Sequence, residues 1–309
     1  MYVLYADNLA ELQDRTQLFR EHLEPLLKQL EAFYQAGLVP DTLPEVRDHL
    51  EFSRWPFRQL EYSFALDALL PHLPIGKYYL NAGHGITPLA AVFARRGVHA
   101  YSSDINQRVM DGLRDLKLER IYGARVTYNT EDMANLSYPD AMFDAISCIS
   151  VLEHLPAPAD QAALNELLRV LKPGGVLVFT VDFTPPPPSG KPSHLEHYAQ
   201  RVVDLARQGK FREIGRGLSR KIQAQQAISH GEAKQARSAH QCYEVDHLAE
   251  DLLPLLTGEE LASGLPFSSD LYAVTPNHAR RFWDLTPNLF DIQGRRIVLP
   301  AACIVRKGE

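Results

Sequence analysis

The sequence is poor in the features that mark secreted, metal-built or membrane-spanning chains. Among 309 residues there are three cysteines, Cys148, Cys242 and Cys303, widely separated and without a C-x-x-C pair. That pattern excludes a disulfide framework and a cysteine zinc site, and it suits a reducing compartment, so a cytoplasmic location is expected. No apolar run is long enough to cross a bilayer, so no membrane association is expected. The first dozen residues lack a basic flank followed by an apolar stretch, so they do not read as a secretory signal. Positive charge is also in deficit: 32 Lys and Arg against 38 Asp and Glu give −6, which offers no general case for nucleic-acid binding. There is no internal repeat.

What the chain does have is a hydrophobic fraction of 45%, enough for a buried core. Its charge is uneven. Residues 191–237 carry ten Lys and Arg against four Asp and Glu, a local +6. This stretch either attracts an anionic small molecule or forms ordinary solvated helix faces.

Near the start, Phe19, Leu23, Leu26, Leu30 and Phe33 recur at steps of three and four, which predicts one helix face. Pro25 kinks that helix or starts a second one, and Gly37 followed by Pro40 ends it. A further helix is predicted over 59–70, closed by Pro71 and Pro74. Short strands are then predicted at 77–80, 98–102, 125–128, 143–149 and 176–181. Helices are predicted between them at 88–96, 107–118 and 159–171. Such alternation implies a parallel sheet with helices on both faces and ligands beyond the carboxyl ends of its strands. Four consecutive prolines, Pro185 to Pro188, mark a boundary. Beyond them, 194–208 and 218–237 read as helices of a capping insertion. Strand-like sequence returns at 271–274 and 297–305. The expected division is an N-terminal helical arm over 1–74, an α/β core over 75–184, a helical cap over 185–262 and completing strands over 263–309.

The chemistry-bearing features follow the strands in order. After the first strand comes Asn81-Ala82-Gly83-His84-Gly85. Two glycines one apart let backbone approach a ligand closely. Thr87 fits as the N-cap of the next helix and Pro88 as its first residue, and the free N–H groups there suit a carboxylate. A dinucleotide fingerprint needs a third glycine where Pro88 stands, which argues against a nicotinamide cofactor. Asp104 ends the next strand, placed to accept ribose hydroxyls or to cap the helix after Asn106. Glu131-Asp132-Met133 follows the third strand, where Asp132 can accept from an adenine amino group and Met133 can pack on the ring. The fourth strand, Phe143 to Ile149, leads into Ser150 and Val151-Leu152-Glu153-His154-Leu155. An amphipathic helix bearing Leu164, Leu167, Leu168 and Leu171 then ends in Lys172-Pro173-Gly174-Gly175.

On these residues, most specifically "FDAISCISVLEHL" and "LLRVLKPGGVLVF", the segment from Lys77 to Asp182 resembles the class I S-adenosylmethionine-dependent methyltransferases of the small-molecule type. The resemblance implies a Rossmann-like seven-stranded, mostly parallel sheet whose last strand is antiparallel, a strand that the chain's end can supply. It implies S-adenosylmethionine as the cofactor. Its methionine end falls on Gly83 and Gly85, its ribose on Asp104 and its adenine on Asp132 and Met133. Ile149 and Ser150 line the floor, and Asn81, Ala82 and Ile105 flank these positions. Asn81 stands where the family usually has Asp or Glu to hold the cofactor's ammonium group. An amide still accepts a hydrogen bond but lacks the ionic component.

The implied activity is methyl transfer to a small molecule, a sugar or secondary metabolite, with an anionic group if the basic stretch recruits it. Methyl transfer is an in-line displacement, so the protein aligns the partners and, for an oxygen or nitrogen nucleophile, supplies a base. His154 at the sheet's carboxyl edge is the first candidate base, with His194 and His197 from the cap as others. His154 can equally cap a turn. His194 and His197, three apart, have no carboxylate or cysteine partner in sequence, so no metal is expected. Trp55, Phe57 and Tyr62 either cover the site or pack the arm on the sheet. Two alternatives stay open: the same fold running a cyclase or lyase type of reaction, and a non-catalytic interaction module whose N-terminal helices pair in a homodimer.

Overall fold

A computed structural model describes residues 2–3, 13–40, 43–54, 56–83, 86–156, 158–184, 243–244, 260–261 and 299–308. All belong to the unit formed by Met1–Pro185 and Cys242–Glu309. A π-helical turn, Phe19–Leu23, runs into helix α1, Glu24–Gln35. Pro25 sits in the first turn of α1, where the missing N–H would lack an intrahelical partner in any case. The expected apolar face is buried at Phe19, Leu23, Leu26 and Leu30, and Phe33 packs against it. The helix stops in a double turn: Gly37 N donates to Tyr34 O and Leu38 N to Phe33 O. Gly37 has φ +69°, a conformation natural to glycine.

Helix α2, Glu45–Phe52, was not expected; its buried Val46, His49 and Leu50 repeat at three- and four-residue spacing over only two turns. Helix α3, Pro56–Leu69, continues as a 3-10 turn, Leu70–His72. The α/β alternation follows with β2 (Tyr78–Ala82), α4 (Leu89–Ala94), β3 (His99–Asp104), α5 (Gln107–Asp115), α6 (Glu119–Tyr122), β4 (Val126–Thr130), β5 (Phe143–Ile149), α7 (Ala159–Val170) and β6 (Leu171–Thr184). The chain returns as β9, Leu299–Arg306.

The sheet is mostly parallel. Strands run in the order β4-β3-β2-β5-β6-β9, the first five parallel and β9 antiparallel to β6. The end of the chain therefore supplies the antiparallel strand. Two-residue strands extend the edges: β1 (Tyr2–Val3) and β8 (Glu260–Leu261) on β9, and β7 (Tyr243–Glu244) on the end of β6. The last two fall within 185–262, the range expected to be helical; they pair with backbone that the edges of β6 and β9 leave open. The predicted helices at 194–208 and 218–237 and the strand at 271–274 lie outside the described residues.

Side chains alternate across the sheet. Tyr79, Ala145, Ile149, Val176 and Val178 face a core shared with α1 to α5, while Leu80, Ala82, Ile146, Cys148, Leu177 and Phe179 face α7. The helix before β6 ends at Val170, where Lys307 Nζ donates to the carbonyls of Leu168 and Leu171 at 2.7 and 2.9 Å. Strand order reverses between β2 and β5. In open α/β sheets that switch point, at the carboxyl ends of the strands, is where ligands are placed.

Candidate functional site

β2 delivers Asn81 and Ala82 to the carboxyl edge, both buried. Register sets Asn81 beside Ser147 of β5, whose hydroxyl donates to Asn81 Oδ1 at 3.0 Å and lies 2.5 Å from the Tyr79 hydroxyl. Asn81 is thus one end of a hydrogen-bonded row across two strands. Gly83 follows with φ +79°, its N–H donating to Ser103 O of β3 at 2.8 Å. A Cβ there would lie 2.5 Å from Val151 Cγ1 and 2.6 Å from Met133 Cε. Glycine is therefore required twice, for its left-handed backbone and for close packing. This contact brings together the loops after β2, β4 and β5.

The entry to α4 differs by one residue from expectation. Pro88 is the N-cap, with φ −73° and ψ 14°, and Leu89 the first helical residue. Thr87 does not cap. Its hydroxyl lies 3.0 Å from the Tyr62 hydroxyl and 3.4 Å from His49 Nε2, partners supplied by α3 and α2, so tertiary bonds replace the local one. Buried Tyr62 also stacks on Phe19, so it ties the N-terminal helices to the entry of α4. Burial lowers the His49 pKa to about 3, with Arg58 adding to the effect, so its imidazole is neutral.

Asp104 ends β3 half-buried, and its Oδ1 accepts from Asn106 N at 2.9 Å, a turn that leads into α5. Asn106 caps that helix, accepting from Val109 N. Ile105 is 70% exposed on the rim. After β4, exposed Asp132 accepts from Ala134 N, and Glu131 accepts from both the N–H and the hydroxyl of Ser137. Met133 is buried beneath Gly83, with its sulfur 3.8 Å from Cys148 Sγ. Three carboxylates, Asp104, Glu131 and Asp132, and one buried methionine thus succeed one another along the carboxyl edge. Such acceptors could take up the hydroxyls and amino group of an adenosine.

Ile149 closes β5 in the core, and Ser150 follows with φ +50°, unusual for a residue with a Cβ. Ser150 is held on every polar atom of its N–H and hydroxyl. Its N–H reaches the Thr180 carbonyl at 3.0 Å and Thr180 Oγ1 at 3.1 Å, and its hydroxyl donates to Glu61 Oε1 at 2.7 Å. Thr180 Oγ1 donates to the same Glu61 oxygen at 2.6 Å, and Arg58 donates to Glu61 Oε2 at 2.8 Å. Burial pushes the Glu61 carboxyl up, and Arg58 opposes it.

Glu153, wholly buried in the 3-10 turn Leu152–His154, accepts from Asp182 N through Oε1 at 3.1 Å, while its Oε2 has no hydrogen-bond partner among the described residues. Burial raises its pKa well above the ordinary carboxylate range, and the Asp182 charge adds to this. His154 is half-buried in the same turn. His84, Gly85, Trp55, His194 and His197 lie outside the described residues, as does the Phe57 side chain. Among the described residues no cluster of three or more His, Cys, Asp or Glu is arranged to hold a metal.

Sequence reasoning missed Arg58, Glu61, Thr180, Glu153 and Asp182 as a group. Arg58 and Glu61 share a helix face, but nothing local shows that this face is buried. Glu153 stood inside the quoted phrase without a role.

Residues 80–179 match the family model described as a methyltransferase domain. Those residues belong to the class I S-adenosylmethionine-dependent methyltransferase superfamily. A ubiquinone biosynthesis O-methyltransferase of Alkalilimnicola ehrlichii is 33% identical over 106 residues, 34% of this chain and 41% of that protein. A demethylmenaquinone methyltransferase of Clavibacter sepedonicus is 32% identical over 134 residues, 42% of this chain and 52% of its own length. The chain spans about half, or less, of the length of these relatives. Among solved structures, the cyclase SpnF aligns over 80% of this chain and 79% of its own at 19% identity, with a TM-score of 0.47. The methyltransferase domain ends five residues before Thr184, so α1 to α3 and β9 lie outside it, yet His49 of α2 and Glu61 and Tyr62 of α3 reach Thr87, Ser150 and Thr180 within it.

Proposed function

We propose that the protein is an S-adenosylmethionine-dependent methyltransferase acting on a small molecule. The observation that carries this is the Gly83 loop, seated against Met133 and Val151 at the switch point, with Asp104 ending the next strand. Backbone at Gly83, the Asp104 carboxylate, and Asp132 with Met133 would hold the methionine, ribose and adenine parts in that order. Gly85, Ala82, Ile105, Ile149 and Ser150 complete that site. When bound, the cofactor supplies an electrophilic methyl group on a sulfonium centre. The chain's own work is to orient the acceptor, exclude water and remove a proton where an oxygen or nitrogen is methylated.

His154 is the proposed base, placed in the turn after β5. His194 and His197, from the proposed cap over 185–262, are the other candidates. The full family sheet of seven strands is proposed to be completed by sequence after the cap. The Alkalilimnicola relative is a ubiquinone biosynthesis O-methyltransferase, so a hydroxyl-bearing acceptor is the starting choice; the basic stretch over 191–237 extends this to anionic sugars or secondary metabolites. A soluble cytoplasmic enzyme fits the cysteine usage, and no described helix is long and apolar enough to cross a membrane. Isothermal titration with S-adenosylhomocysteine tests the reading. Saturable one-site binding is expected, and absence of binding by the folded protein would overturn it.

A further inference from the structure

We propose that Glu61, on a helix outside the methyltransferase domain, is a positioning residue that fixes the cofactor floor by locking the Ser150 turn. This rests on the cofactor-site reading above. Ser150 sits at φ +50°, a conformation that carries a cost for any residue with a Cβ and persists only where its surroundings impose it. Here they form a closed ring. Ser150 N donates to Thr180 Oγ1, Thr180 Oγ1 donates to Glu61 Oε1, and Ser150 Oγ donates to that same oxygen, at 3.1, 2.6 and 2.7 Å. The two hydroxyl bonds end on a carboxylate, so they are the stronger, charge-assisted kind. Arg58, one turn earlier on α3, holds the other carboxyl oxygen at 2.8 Å and so fixes the rotamer. Glu61 is wholly buried, so water does not compete for either oxygen.

The next residue extends the argument. Tyr62 reaches Thr87, beyond the glycine loop of β2, at 3.0 Å, while Glu61 reaches the ends of β5 and β6. One turn of α3 thus bridges both sides of the switch point. The domain that carries the cofactor motifs does not contain the residue that sets the geometry of its floor. The arm is part of the site rather than an appendage to it.

The experiment compares wild type, Glu61→Ala, Glu61→Gln and Ser150→Ala for S-adenosylhomocysteine affinity by titration and for stability by urea unfolding. Glu61→Ala should weaken binding at least about tenfold, the scale of a lost hydrogen bond to a charged group. Glu61→Gln keeps an oxygen for both hydroxyls and should recover most of that affinity, although it loses the ion pair. Ser150→Ala combined with Glu61→Ala should weaken binding less than the product of the two single effects. If Glu61→Ala and Ser150→Ala bind as wild type while losing stability, Glu61 only holds the fold and the proposal falls. Should Glu61→Ala not fold, equal affinities of Ser150→Ala and wild type overturn it alone. Failure of the wild type itself to bind would instead remove the cofactor reading.

Discussion

Replacing Gly83 with alanine separates two costs that the structure assigns to this position. The backbone is at φ +79°, and an L-residue there loses about 1–2 kcal/mol. The added Cβ would also lie 2.5 and 2.9 Å from the two Cγ atoms of Val151 and 2.6 Å from Met133 Cε. Methionine is unbranched and can swing its terminal methyl away. Valine cannot, because both Cγ atoms are fixed by one χ1. Overpacking of this kind adds about 1–3 kcal/mol. Stiffening of the unfolded chain by alanine returns about 0.4–1 kcal/mol. The sum is a destabilisation of about 1–4.6 kcal/mol.

Gly37 is the internal control, since it has φ +69° but nothing within 4 Å of the added Cβ. Gly37→Ala should therefore cost about 1 kcal/mol or less, from the backbone alone. Urea unfolding followed by circular dichroism measures both. In the Gly83→Ala background, Val151→Ala should recover part of the difference, because it removes both crowding atoms. If Gly83→Ala and Gly37→Ala cost the same within about 0.5 kcal/mol, and Val151→Ala gives no recovery, the packing of this loop on the β5 turn is refuted.

Three further outcomes follow from named groups. Glu153 has a folded pKa raised above its unfolded 4.5, so the stability it contributes is present below that value and lost as pH rises through the folded pKa. Glu153→Gln should gain on wild type as pH rises from 4.5, by up to about 1.4 kcal/mol per unit, in urea titrations between pH 4 and 9; curves parallel throughout would contradict the burial argument. His49, with a folded pKa of about 3 against 6.5 unfolded, gives stability that is complete above pH 6.5 and declines as pH falls toward 3, so His49→Gln should flatten that acid limb in melts at pH 7, 5 and 4. Asn81→Asp should raise S-adenosylhomocysteine affinity severalfold by restoring a charged acceptor beside Ser147, and unchanged affinity in titration would remove Asn81 from the ammonium subsite.

Much of the core was legible because its signals are local. Runs such as Phe143 to Ile149 are bounded by turn residues, and the Pro-Gly-Gly lies three residues past the end of α7, inside β6 and close to where helix becomes strand. The residues proposed to hold the cofactor could be lined up for a similar reason: each lies at or just after the end of a strand, so strand order alone sets them along one edge. Thr87 shows where this fails. Locally it is a good N-cap, but Tyr62 and His49, distant in sequence, offer its hydroxyl other partners, and Pro88 takes the cap. Helix α2 failed differently, because two turns carry too few apolar residues to establish a period.

By itself, the sequence determined the alternation of strands and helices, the glycine turn and the acids that follow it, because periodicity and turn chemistry act between near neighbours. The tertiary structure alone decided that Arg58 and Glu61 of an N-terminal helix meet Ser150 and Thr180 from two strands of the sheet. It alone decided, too, that Glu153 keeps a buried oxygen without a partner among the described residues. Burial and long-range hydrogen bonds depend on which surfaces are brought together, and no local spacing encodes that.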